Sequence, residues 1–252
     1  MQDNTFWEAL ADDCDARMGS GGNDFHRELI RPATLRLLEP RPGERVLDAC
    51  CGNGLFSLRL AMEGCEVAAF DFSTKMLGHA KKRCADYPGQ VSFTQADATQ
   101  YDQLITLGNE KPFDKAVANM AVMDIEDIGP LFRAVYAMLK PGGVFVFSAV
   151  HPCFQTPGME FTQDGEGLVT HNYVEPCRHF VTILANNEKR AWHWHRPLQE
   201  LLGIGFEAGF VLDGLEEPVF ATGSRTHHAV WERLPMAIVL RMKKENRIIE
   251  KR

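Results

Sequence analysis

The sequence lacks any apolar run long enough to cross a bilayer. Its longest clean stretch, Val144–Phe147 continued by Ala149–Val150, falls far short of the roughly 20 residues a spanning helix needs. No membrane partner is expected. It also lacks an excess of basic charge: 27 Lys and Arg against 34 Asp and Glu leave a net charge of −7. Basic residues gather only near the end, at Arg241, Lys243, Lys244, Arg247, Lys251 and Arg252. A duplex nucleic-acid binder has the opposite balance, so no nucleic-acid partner is expected. There is no Cys-x-x-Cys pair. Cys14, Cys50, Cys51, Cys65, Cys84, Cys153 and Cys177 are odd in number, and two are adjacent. That pattern is neither a disulfide framework nor a zinc-finger spacing, and reduced thiols in a cytoplasm are the simplest expectation. The opening stretch MQDNTFWEALADDCDAR has no basic segment followed by an apolar one, so no secretory signal is expected.

What is present is a chain of 252 residues, 45% hydrophobic, enough for one enlarged domain or a domain with a cap. Residues 1–40 read as amphipathic helix, broken by a hinge at Gly19-Ser20-Gly21-Gly22 and resumed by a helix that Arg31-Pro32 opens. From Glu44 the pattern changes. Strand-like runs at Arg45–Asp48, Glu66–Phe70, Val91–Thr94, Ala116–Asn119 and Val144–Val150 alternate with helical stretches at Leu55–Met62, Ser73–Asp86 and Ile128–Leu139. Such alternation predicts an α/β, doubly wound, mostly parallel sheet with helices on both faces. Residues 152–196, rich in Pro, Gly, His and aromatics, are too long for a connector and predict a functional insertion. Leu198–Ala208 is helical, and Phe210–Leu215 with Met236–Met242 suggests an antiparallel hairpin at the sheet edge. The predicted organisation is a helical lid over 1–40 and a main domain over 41–252.

Three successive strand ends carry chemistry. In VLDACCGNG (Val46–Gly54) a strand ends at Asp48, and Gly52 and Gly54 form a tight turn into a helix. Glycines there let a ligand approach the backbone, and the helix start offers free N–H groups. Asp71 ends the next strand, where a carboxylate can accept both hydroxyls of a ribose. Asp97, between Ala96 and Ala98, follows the third strand. With a neighbouring backbone N–H it can recognise adenine.

In these residues the sequence resembles the class I S-adenosylmethionine-dependent methyltransferases of the small-molecule type. LDACCGNG, FDFSTKML, ADAT, FDKAVANMAVMDI and LKPGGVFVFS follow that family's motifs in order over about residues 44–150. The resemblance implies a seven-stranded Rossmann-like sheet with an antiparallel edge strand, and S-adenosylmethionine as cofactor. It implies that Asp48 and the backbone of Cys50, Gly52 and Gly54 hold the methionine end. Asp71 would bind the ribose, Phe72 and Met76 flank the adenine, and Asp97 and Ala98 read its edge. Asn119 and Met120 would lie near the sulfonium. One departure stands out: Cys50 occupies the position of the motif's first glycine. The resemblance also suggests that N-terminal helices bearing Trp7, Phe25 and His26 cover the cofactor, with core packing of Trp7 and Phe25 as the equal alternative.

A sulfonium methyl is already electrophilic, so positioning does most of the work and a base is needed only for a protonated nucleophile. His151, in His151-Pro152-Cys153-Phe154, and His195, in His195-Arg196-Pro197, are the candidate acid/base groups, against the alternative that each merely hydrogen-bonds within the fold. No metal is expected. His171, His179, His193, His195, His227, His228 and Cys153 supply donors, but in no closed zinc spacing. After the fourth strand Asn119-Met120-Ala121-Val122 lacks an Asn/Asp-Pro-Pro-Tyr stretch. An apolar or aromatic small molecule is therefore the expected partner of a monomer or homodimer. Two alternatives remain open: a nicotinamide-dependent oxidoreductase, disfavoured because Ser57 fills the third glycine position, and a cofactor-binding module without catalysis.

Overall fold

The short apolar runs become strands because helices cover both faces of the sheet they form. A computed structural model describes residues 5–108, 111–182, 190–223 and 228–245. His227, Arg247, Lys251 and Arg252 lie outside them. The chain runs through α1 (Thr5–Met18), α2 (Arg31–Leu38), β1 (Arg45–Ala49), α3 (Leu55–Met62), β2 (Glu66–Asp71), α4 (Thr74–Arg83) and β3 (Val91–Gln95). It continues through α5 (Tyr101–Ile105), β4 (Phe113–Ala118), α6 (Gly129–Met138) and β5 (Leu139–Val150). Two small hairpins follow, β6 (Glu160–Phe161) with β7 (Leu168–Val169) and β8 (Cys177–Thr182) with β9 (Arg190–His195). The chain then adds α7 (Leu198–Glu207), β10 (Val211–Glu216) and β11 (Ala237–Lys243).

The main sheet has seven strands in the order β10-β11-β5-β4-β1-β2-β3. Strands β1 to β5 are mutually parallel, and β11 runs antiparallel to both β5 and β10. The β10–β11 hairpin thus makes the expected antiparallel edge, with the reversed strand second from the end. β1 sits at the centre and is buried at all five positions. One face carries a core in which Phe132 of α6 meets Phe145 and Phe147 edge-on, at 5.2 and 5.1 Å. On the other, Ala33 and Leu38 of α2 and Leu60 of α3 pack on Val46, Val117 and Val146.

Two boundaries differ from the sequence reading. The helix predicted to open at Arg31-Pro32 starts earlier: Phe25–Ile30 is a π-helical turn that runs directly into α2. Pro32 has no N–H for the carbonyl four residues back, and its ring crowds that carbonyl. A widened turn removes the conflict. The Lys140-Pro141-Gly142-Gly143 segment, read as a helix stop, belongs to β5. It forms an irregularity in the pairing with β4 between Phe113/Leu139 and Lys115/Val144.

Candidate active site

Beyond the carboxyl ends of β1 to β4, where the strand order reverses direction, lies a cavity of about 850 Å³. This is the place where open parallel sheets bind ligands. Its floor is the loop after β1. Cys50, Gly52 and Gly54 all take left-handed backbone conformations, with φ of 53°, 53° and 77°. Cys50 does so despite its side chain, a conformation that normally costs about 1–2 kcal/mol for an L-residue. Its thiol lines the cavity. Burial pushes that thiol up, and the charges of Asp71, Asp48, Asp124 and Asp97 push it further. Asp71, Asp97 and Asp124 line the same cavity.

Asp71 ends β2 and braces this floor. Its Oδ2 accepts the Gly52 N–H at 2.8 Å and its Oδ1 the Ser73 N–H at 2.9 Å. Each oxygen keeps a further lone pair for a ligand. Burial raises its carboxyl above the usual range. Ser73 caps α4 as its sequence position predicted, its Oγ accepting the Met76 N–H. Phe72, Met76, Ala98, Asn119 and Met120 all line the cavity, as does Asp97. Asp97 Oδ1 holds its own turn through the Thr99 N–H and Oγ1, at 2.9 and 2.8 Å. Asn119 Oδ1 is fixed by the hydroxyls of Thr34 and Ser148, at 2.8 and 3.3 Å.

Two motif residues lie behind the floor instead of in it. Gly54 does not line the cavity; a Cβ there would sit 2.7 Å from Ala80 Cβ. It admits α4 to the start of α3. Asp48 is 1% exposed and accepts the Ser57 hydroxyl at 2.5 Å. Burial pushes its carboxyl up to about 7, with Asp71 adding to the shift. The folded protein then keeps a proton on Asp48 that the unfolded chain has lost. Stability due to this group is therefore present below about pH 4 and lost as pH rises toward about 7, at up to about 1.4 kcal/mol per unit. Asp48→Asn keeps the Ser57 partner without titrating. Urea unfolding at pH 5 and pH 8 is expected to show a smaller fall for this variant than for the parent; equal falls would contradict the assignment.

The two histidines singled out in the sequence do not reach the cavity. His151 is 1% exposed; its Nε2 contacts Glu217 Oε1 at 2.7 Å, and its Nδ1 accepts the Cys153 N–H. His195 is also buried, with Nε2 on the Tyr173 carbonyl at 2.8 Å. Both tie the insertion down. The cavity is lined instead by His26, His179 and His193, with Asp124. Asp124 follows β4 within an otherwise apolar Ala121–Ile125 stretch, and an acid so placed is the signal that marks it. Burial raises its carboxyl, opposed by His193. The turn bearing it is clamped by Arg196, which donates to the carbonyls of Val122, Ile125 and Glu126.

Helix α1 contributes Trp7, Cys14, Arg17 and Met18 to the cavity lining. It is tied to the floor by carboxylates. Glu8 accepts the hydroxyls of Ser73 and Thr74, at 2.6 and 2.8 Å. Asp15 accepts from Asn53 and Arg83, at 2.9 and 2.8 Å.

A family model described as a methyltransferase domain matches residues 46–143. A solved S-adenosylmethionine-dependent methyltransferase from Mesorhizobium loti superposes with a TM-score of 0.72 at 26% identity, covering 89% of this chain and 100% of that one. Residues 46–143 thus form a methyltransferase domain, and the fold is that of the solved S-adenosylmethionine-dependent enzyme. The methyltransferase domain is also similar to a demethylmenaquinone methyltransferase of Clavibacter sepedonicus, 33% identical over 59% of this chain and 56% of that one. A malonyl-[acyl-carrier protein] O-methyltransferase of Erwinia pyrifoliae is 39% identical over 50% and 45%. The chain thus spans about half the length of these curated relatives. Among the described residues no helix is long and apolar enough to cross a membrane.

Proposed function

We propose that this protein transfers a methyl group from S-adenosylmethionine to a small-molecule acceptor by in-line displacement. The observation that carries the reading is the convergence of Gly52, Asp71 and Asp97, from three successive strand ends, on one cavity. Asp71 would take the ribose hydroxyls. Asp97 and the Ala98 N–H would take the adenine edge, between Met76 and Phe72. The backbone of Cys50 and Gly52 would hold the methionine end, and Asn119 and Met120 would stand beside the reacting methyl. The cofactor, when bound, supplies a methyl that its sulfonium has already made electrophilic. Asp71, Asp97 and Asp124 line the cavity and favour a cation there, which fits that group.

The volume lies toward the upper end of the roughly 300–1,000 Å³ found for ligand clefts. Phe25, Ile125, Val150, Val181 and Met236 line it and suit an apolar or aromatic acceptor. Catalysis then rests mainly on positioning, which supplies on the order of 7–11 kcal/mol in well-oriented systems. Residues 1–40 serve as the cover, and residues 152–196 as the substrate cap. Seven free thiols suit a reducing compartment, the cytoplasm. A nicotinamide reading is less favoured, because Ser57 stands at the third glycine position and its hydroxyl is engaged by Asp48.

Calorimetric titration with S-adenosylmethionine, S-adenosylhomocysteine and NAD tests this. The first two are expected to bind. Asp71→Ala is expected to weaken both by about 1.5–3 kcal/mol, roughly ten- to 150-fold. Binding of NAD alone, or unchanged affinity in the variant, would sink the reading.

A further inference from the structure

The β8–β9 hairpin carries two histidines into the cavity. His179 and His193 are direct partners in its register, with ring centroids 6.1 Å apart and planes at 84°. Across from them His193 Nε2 lies 3.1 Å from Asp124 Oδ1, and both side chains are 12% exposed. His179 Nδ1 is a buried polar atom without a hydrogen bond among the described residues, on a side chain that lines the cavity, whereas Asp124 Oδ1 faces His193. A buried polar atom left open beside a cavity is a place for a ligand to complete.

Resting on the methyl-transfer reading, the geometry points to His193, paired with Asp124, as the general base for an acceptor whose hydroxyl sits on an apolar aromatic ring. A carboxylate acceptor needs no base and would leave the His193–Asp124 pair without a task. A phenol-type hydroxyl enters neutral, matches walls made by Ile125, Val150, Val181 and Met236, and must lose its proton. The neutral His193 ring turns its Nε2–H toward Asp124 and leaves the Nδ1 lone pair to accept that proton. The acceptor O–H bond breaks as its oxygen bonds to the methyl carbon. The carbon–sulfur bond breaks, and its electron pair stays on sulfur. Positive charge is conserved, passing from sulfonium to the imidazolium beside Asp124.

Asp124 from the turn after β4 and His179 from β8 face His193, and the other charged or titratable groups lining the cavity are Arg17 and Cys14 of α1, Asp24, His26 and Arg31, Cys50 and Cys51, Asp71 and Asp97. His179 is held neutral by burial and by the neighbouring His193 and His195, its pKa lowered to about 4. His179 therefore adds no second cation beside the imidazolium formed in the transfer.

The test measures labelled methyl transfer from S-adenosylmethionine to phenols of graded acidity and to matching benzoic acids. Phenols are expected to accept and benzoic acids not. His193→Asn is expected to slow transfer to weakly acidic phenols by about 10²–10⁴-fold. It should spare 4-nitrophenol assayed where that phenol is already ionised. An equal loss for every phenol would mark His193 as merely structural and overturn the proposal. A second readout needs no turnover. 4-Nitrophenol is added to the S-adenosylhomocysteine complex at a pH where the free phenol is mostly neutral. Its phenolate absorption should grow with the parent protein and not with His193→Asn; a neutral bound phenol in the parent overturns the base. Calorimetry with S-adenosylhomocysteine separates the two failures. Binding, with methylation of benzoic acids alone or of no phenol, removes the base and leaves the cofactor reading. Absence of binding removes both.

Discussion

Arg196→Met is expected to lower folding stability by about 3–5 kcal/mol, the range seen when one partner of a buried charged cluster is removed. Arg196 is 7% exposed and sits under the turn that follows β4. Its Nη1 donates to the Val122 carbonyl at 3.0 Å, and its Nη2 to those of Ile125 and Glu126 at 2.6 and 2.5 Å. Val122 and Ile125 are themselves buried, so water cannot replace the lost donors without opening the turn. Each orphaned buried acceptor costs about 1–3 kcal/mol. Arg196→Lys should recover only part of the loss, because an ammonium is a point donor and cannot reproduce the planar fork. Urea unfolding of the parent and both variants measures this. A loss under about 1 kcal/mol for Arg196→Met, the size of a single ordinary hydrogen bond, would contradict the clamp.

Gly54→Ala is expected to cost about 2–4 kcal/mol, from two separable sources. The left-handed φ of 77° accounts for about 1–2 kcal/mol. The remainder comes from overlap: the new Cβ would sit 2.7 Å from Ala80 Cβ and 2.8 Å from Ala80 Cα. The obstacle is the backbone of α4, which cannot rotate away as a side chain tip does. Gly52 provides the control. It shares a left-handed φ of 53°, but a Cβ there would meet nothing within 4 Å. Gly52→Ala should therefore show the conformational cost alone. Equal losses for the two variants would show that α3 and α4 do not meet closely at Gly54.

The comparison of Gly52 with Gly54 also shows what the sequence makes legible. The motif spacing located the loop after β1, but not which glycine faces a ligand and which faces a helix. That distinction depends on Ala80, 26 positions beyond Gly54 (80 − 54 = 26). The order of strands and helices was readable because each apolar run had the length and punctuation of its element. α3 follows the Leu55–Met62 pattern at both ends, and Ser73 caps α4. Asp71, Asp97 and Asn119 reach the cavity because each stands at a strand end, and strand ends in a parallel sheet share one edge.

The histidines were harder for a physical reason. Residues 152–196 have no parallel-sheet rhythm to fix where a side chain goes. His151 and His195 flank prolines that redirect the chain, and their rings turn inward to Glu217 and the Tyr173 carbonyl. His179 and His193 meet only through the β8–β9 register, a pairing set by hydrogen bonds between segments on either side of residues 183–189. Asp124 was hidden within a motif stretch where its neighbours are apolar, and its burial beside His193 needed the third dimension.

Asp71, Asp97 and the Cys50–Gly52 loop are proposed to form one S-adenosylmethionine site together. A crystal structure with S-adenosylhomocysteine tests it most directly. The ribose hydroxyls are expected on the Asp71 carboxylate, the adenine between Met76 and Phe72 with its amine on Asp97, and the sulfur beside Asn119. A ligand bound elsewhere, or a ribose without contact to Asp71, would contradict it.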